Sequence, residues 1–474
     1  MKPPVTPLEA VRSIEDLSPN PLVYERTAFM AHIRRYDREA LRAYYGRQKS
    51  KAAPVWANYA VNLWEYEHGV EELTSRPWNV TIPITEVCNA KCDFCSSPLV
   101  PQPKALAVHE VEHFADSLGH ALRVSLQGLG EPLAHPQFEE LAAAIRKHLN
   151  KAARLEIITN GWLLSGRRWE LLKSLQVRVL QVSVNAATDR THQIAMGSKP
   201  GTFDRVLDNI EQVLSDPSWR CYLKASMVIT RHSLPEVPQF LEVLAKRGVK
   251  HFQFNALLPL TSPDWGFGRT RQYIDLWCGH LPDAAALVEE GSEAIARYRE
   301  MGHKITATPE QWLDRVEQWQ TPELIQLSTD ERQTAVFQDS AAAAPTQRPD
   351  GELAPVEGDG SSDAPASGGL ECGPLDAAVS APPPEAPADG TQGTRPSRVF
   401  CPMVYTTLSV FHHSLDVSTC CYMETPGPPP PNLTRVPIDD AYNDRGFRLV
   451  RRTLNTDRHV PVCDTCTYGT FRSP

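Results

Sequence analysis

Through the middle of the chain, short runs that alternate apolar and polar residues are separated by stretches with helical spacing. The run "NVTIPI" alternates as a half-buried β-strand does. Residues 202–214 instead repeat their apolar side chains every three or four positions, as an amphipathic helix does. Strands that alternate with helices indicate βαβ units and a parallel sheet. The pattern predicts six strands, over residues 80–85, 122–127, 154–159, 179–185, 221–229 and 251–255.

Each of these strands also has a polar face. Ser183 and Asn185 share such a face on the fourth strand, and Lys224 and Ser226 share one on the fifth. A parallel sheet with helices on both sides is normally apolar on both faces, and a closed eight-stranded barrel fills its centre with bulky branched side chains. We therefore predict an α/β fold, a partial (β/α)6 barrel whose polar inner face lines a wet cavity. The alternative is an antiparallel sheet with one solvated face.

Composition divides the chain into four segments. Residues 1–78 are predicted to form a helical N-terminal extension, with one amphipathic helix over residues 27–45. Residues 79–335 form the barrel. Residues 336–398 are rich in Pro, Ala and Gly, and no aromatic residue lies between Asp339 and Val399, which predicts a disordered linker. Residues 399–474 form a small C-terminal domain.

Charge and hydropathy exclude several classes of protein. The 48 Lys and Arg against 57 Asp and Glu give a net charge of −9, with no basic block, which argues against a nucleic-acid partner. No apolar run reaches the ~18 residues of a membrane span, and the N-terminus has no apolar signal segment. We therefore predict a cytoplasmic protein, in which clustered cysteines are more often metal ligands or catalysts than disulfides.

Three cysteines lie close together directly after the first predicted strand. Cys88, Cys92 and Cys95 form C-x3-C-x2-C in "CNAKCDFC", and no fourth Cys or His lies in the same loop. Thiolates are soft ligands that select zinc, copper(I) or iron–sulfur clusters. A structural zinc site needs four protein ligands, whereas three thiolates on a four-iron cluster leave one iron open to a substrate or cofactor.

This motif resembles the signature of radical S-adenosylmethionine (SAM) enzymes, with Phe94 in its aromatic position. The resemblance implies a [4Fe–4S] cluster on Cys88, Cys92 and Cys95, with SAM bound to the fourth iron. It also implies reductive cleavage of SAM and abstraction of a hydrogen atom from a substrate C–H bond. The partial barrel of that family agrees with the fold predicted from periodicity.

Further motifs stand where that family places its SAM contacts. "QGLGEPL" follows the second strand and is similar to the segment that contacts the SAM amino group. Its glycines allow close backbone approach, and its glutamate offers a carboxylate to an ammonium group. The resemblance implies that SAM contacts lie in that segment and at the ends of the third, fourth and fifth strands, at Gly128, Gly130, Glu131, Asn160, Ser183, Asn185, Lys224 and Ser226.

A second group of cysteines follows the linker. "CP", "CC" and "CDTC" resemble the SPASM domain of many radical SAM enzymes, which carries auxiliary iron–sulfur clusters. Only five cysteines are present where a two-cluster domain uses about seven, so the expectation is one auxiliary [4Fe–4S] cluster. Adjacent side chains diverge on an extended backbone, and we choose Cys420 over Cys421. The predicted ligands are Cys401, Cys420, Cys463 and Cys466; a structural zinc site is the alternative.

One further cysteine is a candidate for catalysis. Cys278 lies beyond the sixth predicted strand, and some radical SAM epimerases use such a thiol to return a hydrogen atom to the substrate. Packing in the core is nevertheless the interpretation that we favour for this residue.

The resemblance leaves the reaction and substrate open. Oxidation, epimerisation and crosslinking begin with the same abstraction, so the expected enzyme is an oxidoreductase, an epimerase or a peptide maturase. The expected substrate is a small molecule, such as an aminocyclitol or sugar, or a ribosomal peptide, and the expected reductant is a flavodoxin or ferredoxin. The alternative is a non-catalytic iron–sulfur or redox-sensing protein on the same scaffold.

Overall fold

The structure is a computed structural model. It describes residues 8–24, 26–95, 102–219, 221–257, 275–309, 312–313, 399–400, 405, 407–411, 415–418, 431–454 and 470–471. The whole of the predicted linker, residues 336–398, and the cysteines of the C-terminal segment lie outside these residues. No helix in the described part of the chain is long and apolar enough to cross a membrane.

The N-terminal extension contains three helices: α1, Arg26–Ile33; α2, Arg38–Gly46; and α3, Ala53–Glu67. The prediction of one helix over residues 27–45 is wrong. Asp37 has extended backbone angles, and its side chain accepts a hydrogen bond from Ala40 N at 3.0 Å. It therefore caps a new helix. Helix α3 is buried along most of its length, since it is apolar on more than one face.

A mixed sheet of nine strands follows, with helices between its strands. Its order is β10-β9-β1-β2-β3-β4-β5-β6-β7, and neighbours from β9 to β7 are parallel. The strands are β1 Asn79–Pro83, β2 Arg123–Gln127, β3 Arg154–Thr159, β4 Val179–Ser183, β5 Tyr222–Ile229, β6 His251–Ala256, β7 Lys304–Thr306, β9 Thr407–Phe411 and β10 Asp416–Ser418. The helices are α4 Ala115–His120, α5 Phe138–His148, α6 Gly166–Ser174, α7 Asp189–Met196, α8 Thr202–Ser215, α9 Val237–Lys246 and α10 Ala284–Glu300.

The predicted parallel α/β fold is confirmed, and the sheet has more strands than the six expected. Strand β7 has only three residues, too few to show an alternating pattern. Strand β9 comes from the far side of the linker and pairs in parallel with β1, and β10 pairs with β9 antiparallel. The C-terminal segment thus extends the same sheet, while the domain boundary at residue 399 stays a prediction.

The register places the predicted polar residues on one face of the sheet. Ser125 pairs with Thr81 on one side and with Glu156 on the other, and Ser226 pairs with both Ser183 and Gln253. Paired residues of parallel strands point to the same face. The opposite face carries buried apolar side chains, among them Ile82, Leu126, Ile157, Leu180 and Leu223, which belong to the main hydrophobic core.

Two more helices and a small sheet end the described chain. They are α11 Ile438–Tyr442, α12 Arg445–Leu454, and the antiparallel pair β8 Val399–Phe400 and β11 Thr470–Phe471. The Asn443 side chain exchanges two hydrogen bonds with the backbone of Leu73, at 2.8 and 2.9 Å. These bonds join the C-terminal helices to the segment that precedes β1.

Candidate iron–sulfur and SAM site

The three clustered cysteines lie in the loop that follows β1, at the carboxyl ends of the parallel strands. All three thiols are half-buried. Burial, together with the neighbouring thiols, raises the pKa of Cys92 well above its usual value, and burial raises the pKa of Cys88 to about 12. As thiolates, these groups need a compensating positive charge, which a bound cluster of iron ions supplies.

The donor set of this loop fits a four-iron cluster. The loop offers three thiolates within eight positions, and thiolates are the ligands that iron–sulfur clusters take. A four-iron cluster takes its thiolates on different irons, so its ligands stand apart. The backbone supports the loop, because Ala90 N donates to Cys88 Sγ at 3.4 Å.

Gly130 allows the loop after β2 to lie directly against the residues that precede Cys88. A Cβ atom at Gly130 would lie 2.4 Å from Val87 O and 2.5 Å from Thr85 O. Gly130 N donates to Thr85 O at 3.0 Å, and Glu131 N donates to Val87 O at 2.9 Å. Only glycine fits this approach of two backbones.

The Glu131 carboxylate is buried and accepts hydrogen bonds from the end of β3. Thr159 Oγ1 donates to it at 2.6 Å, Asn160 N at 2.7 Å and Leu133 N at 3.1 Å. Burial raises the pKa of Glu131 to about 6, against the effect of these hydrogen bonds. In the structure the carboxylate thus joins two loops of the fold, while its contact with an ammonium group stays a prediction.

Asn160 reaches the cysteine loop itself. Its Nδ2 donates to Asn89 Oδ1 at 2.7 Å, and its Oδ1 accepts from Trp162 N at 3.0 Å. Asn160 thus donates one hydrogen bond to Glu131 and another to Asn89, and these bonds connect the ends of β2 and β3 with the residue that follows Cys88.

The end of helix α7 supports the other side of the cysteine loop. Lys91 N donates to Met196 O, and Asp93 N donates to Ala195 O, both at 3.1 Å. Gly197 ends the helix with a φ of 60°, and a Cβ there would lie 2.7 Å from Lys91 O. This left-handed end favours glycine and brings the chain against the loop.

The predicted residues of β4 and β5 form one polar group beside this helix. Ser226 Oγ lies 3.4 Å from Ser183 Oγ, and Lys224 Nζ donates to Gln253 Oε1 at 2.7 Å. Burial lowers the pKa of Lys224. Asn185 has a left-handed backbone with a φ of 59°, and its Oδ1 accepts from Val228 N at 2.9 Å. These side chains lie on the polar face, where the SAM contacts are predicted.

The remaining candidates lie in different surroundings. Phe94 is half-buried against Leu257 and Leu276, and a Cβ at Gly128 would lie 3.0 Å from Pro83 Cβ. Cys278 is 1% exposed, lies in the main core and donates to Trp312 O at 3.5 Å. This is the core packing that the sequence analysis favours for Cys278. The predicted auxiliary ligands Cys401, Cys420, Cys463 and Cys466 lie outside the described residues.

A cavity of about 950 Å³ lies at the opposite ends of the strands. Its lining includes Arg154, Arg178, Tyr222 and Lys250, at the amino ends of β3, β4, β5 and β6. The cysteine loop follows the carboxyl end of β1, so this cavity is not part of the candidate site.

Comparison with known proteins supports the site from a separate direction. Residues 82–216 match the family model of the Radical SAM superfamily. This part of the chain is therefore similar to that superfamily, whose members bind a [4Fe–4S] cluster and SAM. The match covers the cysteine loop, Gly130, Glu131 and α7.

Among curated proteins, the chain is 30% identical over 193 residues to the AdoMet-dependent heme synthase of Methanosarcina barkeri, covering 40% of this chain and 52% of that protein. It is 21% identical over 184 residues to the tungsten-containing aldehyde ferredoxin oxidoreductase cofactor-modifying protein of Pyrococcus furiosus, covering 38% and 51%. The chain thus spans about half the length of the curated relatives it matches.

Solved structures give weaker likenesses. SuiB of Streptococcus suis bound to the precursor peptide SuiA has 12% identity and a TM-score of 0.49, over 85% of this chain and 73% of that chain. The AdoMet-bound anSMEcpe has 19% identity and a TM-score of 0.35, over 48% and 62%.

Sequence reasoning missed the residues that hold the loop in place. Asn89 lies inside the cysteine motif, but nothing in its neighbours indicates that it meets Asn160, which lies 71 positions away. The glycine in "MGS" indicates that a helix ends at Met196 and Gly197. Nothing in this sequence indicates that the helix end contacts the cysteine loop. Contacts between distant segments leave no local pattern.

Proposed function

We propose that this protein is a radical SAM enzyme that abstracts a hydrogen atom from a C–H bond of its substrate. The observation that carries the proposal is the loop of Cys88, Cys92 and Cys95 at the carboxyl end of β1, packed against Gly130 and the end of α7. With cluster and SAM bound, the site supplies one-electron cleavage of SAM and hydrogen abstraction.

The chain's own residues bind and orient the cofactors. Cys88, Cys92 and Cys95 hold the cluster, and the backbone around Gly130 and the polar ends of β4 and β5 orient SAM. Burial of the loop keeps water away from the reacting groups. Glu131 and Asn160, at the ends of β2 and β3, hold the loop in place through the hydrogen bonds described above.

For the substrate we propose a small molecule or a ribosomal peptide, followed by oxidation, epimerisation or crosslinking. The curated relatives carry names that refer to heme synthesis and to modification of a tungsten enzyme's cofactor. These names favour the small-molecule class. The reductant in this proposal is a flavodoxin or ferredoxin.

The C-terminal cysteines extend the proposal to an auxiliary cluster. Cys401, Cys420, Cys463 and Cys466 supply four thiolates, the number that a complete [4Fe–4S] cluster takes. Strand β9 begins six positions after Cys401 and pairs with β1, which leads into the cysteine loop. This pairing supports a location of the second cluster near the same sheet.

Cleavage of SAM tests the proposal. Anaerobically reconstituted protein, reduced with dithionite, should convert SAM to 5′-deoxyadenosine, and the Cys92→Ala variant should not. Wild-type protein that carries iron but leaves SAM intact would support the alternative, a non-catalytic iron–sulfur or redox-sensing protein.

A further inference from the structure

Met196 lies between the cysteine loop and the polar face of the sheet. Its Sδ is 3.5 Å from Cys92 Sγ and 3.1 Å from Asn185 Nδ2. The residue is 1% exposed. Its sulfur therefore contacts both Cys92 Sγ and Asn185 Nδ2 and covers one side of Cys92.

Met196 is held in this place by its own backbone and by its neighbours. Met196 O accepts the hydrogen bond from Lys91 N, and Gly197 lets the chain approach Lys91 closely. Asn185 is fixed as well, because its Oδ1 accepts from Val228 N. Its amide N–H is thus directed at the sulfur of Met196.

A thioether has particular consequences beside a metal-bound sulfur. It accepts hydrogen bonds weakly and donates none, and it is polarizable enough to pack closely against another sulfur. The reduction potential of an iron–sulfur cluster depends on hydrogen bonds to its sulfurs and on its exposure to water. Both stabilise the negative charge that reduction adds, so both raise the potential.

We propose that Met196 is a positioning residue that lowers the reduction potential of the cluster by keeping water and N–H donors away from Cys92 on the side it covers. The inference rests on the proposed function, because it requires a cluster on Cys92. A low potential suits this site, since the electron must pass on to SAM.

Three variants of the full chain test this role: Met196→Gln, Met196→Leu and Met196→Ala. Gln has nearly the same length and brings an N–H donor to Cys92. Leu keeps the site apolar without the sulfur. Ala leaves space that water can enter. The measurement is a potentiometric titration, followed by EPR, of anaerobically reconstituted protein without SAM. The relevant signal is the one absent from the Cys88/Cys92/Cys95 triple Ala variant.

We expect Met196→Gln to shift the one-electron reduction equilibrium at least about tenfold, which raises the potential by about 59 mV. Met196→Ala should shift it in the same direction, and Met196→Leu should leave it near the wild-type value. Iron content and the urea midpoint of the Leu and Gln variants should match, because both side chains fill the same space.

Unchanged potentials in the Gln and Ala variants would overturn the inference, and so would a Leu variant that shifts as far as the Gln variant. In both cases the wild type would still carry its cluster and cleave SAM, so the proposed function would stand. A wild-type protein without iron on Cys88, Cys92 and Cys95 would instead remove the proposed function first.

Discussion

The cysteine loop and the contact between the segment before β1 and the C-terminal helices are held by different means. Backbone hydrogen bonds and close glycine contacts at Gly130 and Gly197 provide most of the contacts that hold the loop, to which the Asn160 side chain adds one hydrogen bond. Side chains hold the terminal clasp, the contact of residues 71–76 with residues 439–452. There Arg452 donates two hydrogen bonds to the Glu71 carboxylate, at 2.9 and 2.7 Å.

The centre of the terminal clasp is Arg451, which is 1% exposed. It donates to Tyr442 O at 2.7 Å and to Glu71 O at 3.0 Å, and its guanidinium lies 4.6 Å from the centre of the Tyr442 ring. Exposed ion pairs surround it, such as Arg448 with Glu72 at 3.2 Å. Backbone contacts fix the position of the cysteine loop. The side-chain pairs of the terminal clasp join two distant segments and should tolerate more substitution. The predictions below test this difference.

The largest effect is expected from the loss of the cysteines. Replacing Cys88, Cys92 and Cys95 with Ala should remove one cluster and reduce SAM cleavage to background, because no thiolate remains to bind iron in the loop. Iron analysis and chromatography of the SAM products measure both effects. Cys221→Ala is the control, since Cys221 is half-buried at the start of β5, away from the loop. Equal losses in both variants would contradict the assignment.

Gly130→Ala should lower the free energy of unfolding by about 3 kcal/mol and reduce the iron content, because the new Cβ has to displace backbone atoms. Urea unfolding and iron analysis measure the two effects. Gly46→Ala is matched to it, since a Cβ at Gly46 meets nothing within 4 Å. If the two variants unfold alike and bind the same iron, the close approach at Gly130 has no importance.

Arg451→Met should lower the free energy of unfolding by about 2 kcal/mol, because it leaves buried carbonyl groups unsatisfied and removes the contact with the aromatic rings. Arg448→Met, in an exposed ion pair, should cost less than about 1 kcal/mol. Both should retain the iron of the cysteine loop. A loss of that iron in Arg451→Met would show that the clasp also supports the site.

The smallest effect is expected in the pH dependence of the free energy of unfolding, through His192 of α7. Burial lowers the pKa of His192 to about 4, below its usual 6.5, so the unfolded chain binds the proton more readily. The contribution of neutral His192 to the free energy of unfolding is constant above pH 6.5 and is lost as the pH falls from 6.5 towards 4. Between pH 7.5 and 5.5, cluster-free wild type should lose about 1 kcal/mol more stability than His192→Asn. Equal pH dependence in urea unfolding would show that His192 is not titrating in this range.

Much of the sheet could be predicted from the sequence, because alternation is a local property. The polar face was predicted from Ser183, Ser226 and their counterparts, and the register confirms that they share a face. Strand β9 was missed because its partner β1 lies more than 300 positions earlier, beyond a linker. The break between α1 and α2 was missed because Asp37 acts as a cap inside an otherwise continuous apolar stripe.

The candidate site could be predicted only as far as its motifs reach. Cys88, Cys92, Cys95 and Gly130 stand in recognisable patterns, and the structure places them side by side. The sequence shows a carboxylate at Glu131 but not the three donors that surround it. Contacts of this kind depend on how distant loops meet.

The most direct test of the central claim is the iron and sulfide content, with Mössbauer spectra, of anaerobically reconstituted wild type and of the Cys88/Cys92/Cys95 triple Ala variant. The account predicts about eight irons falling to about four, as two four-iron clusters require. The same iron content in both proteins would contradict it, because the cysteine loop would then hold no cluster.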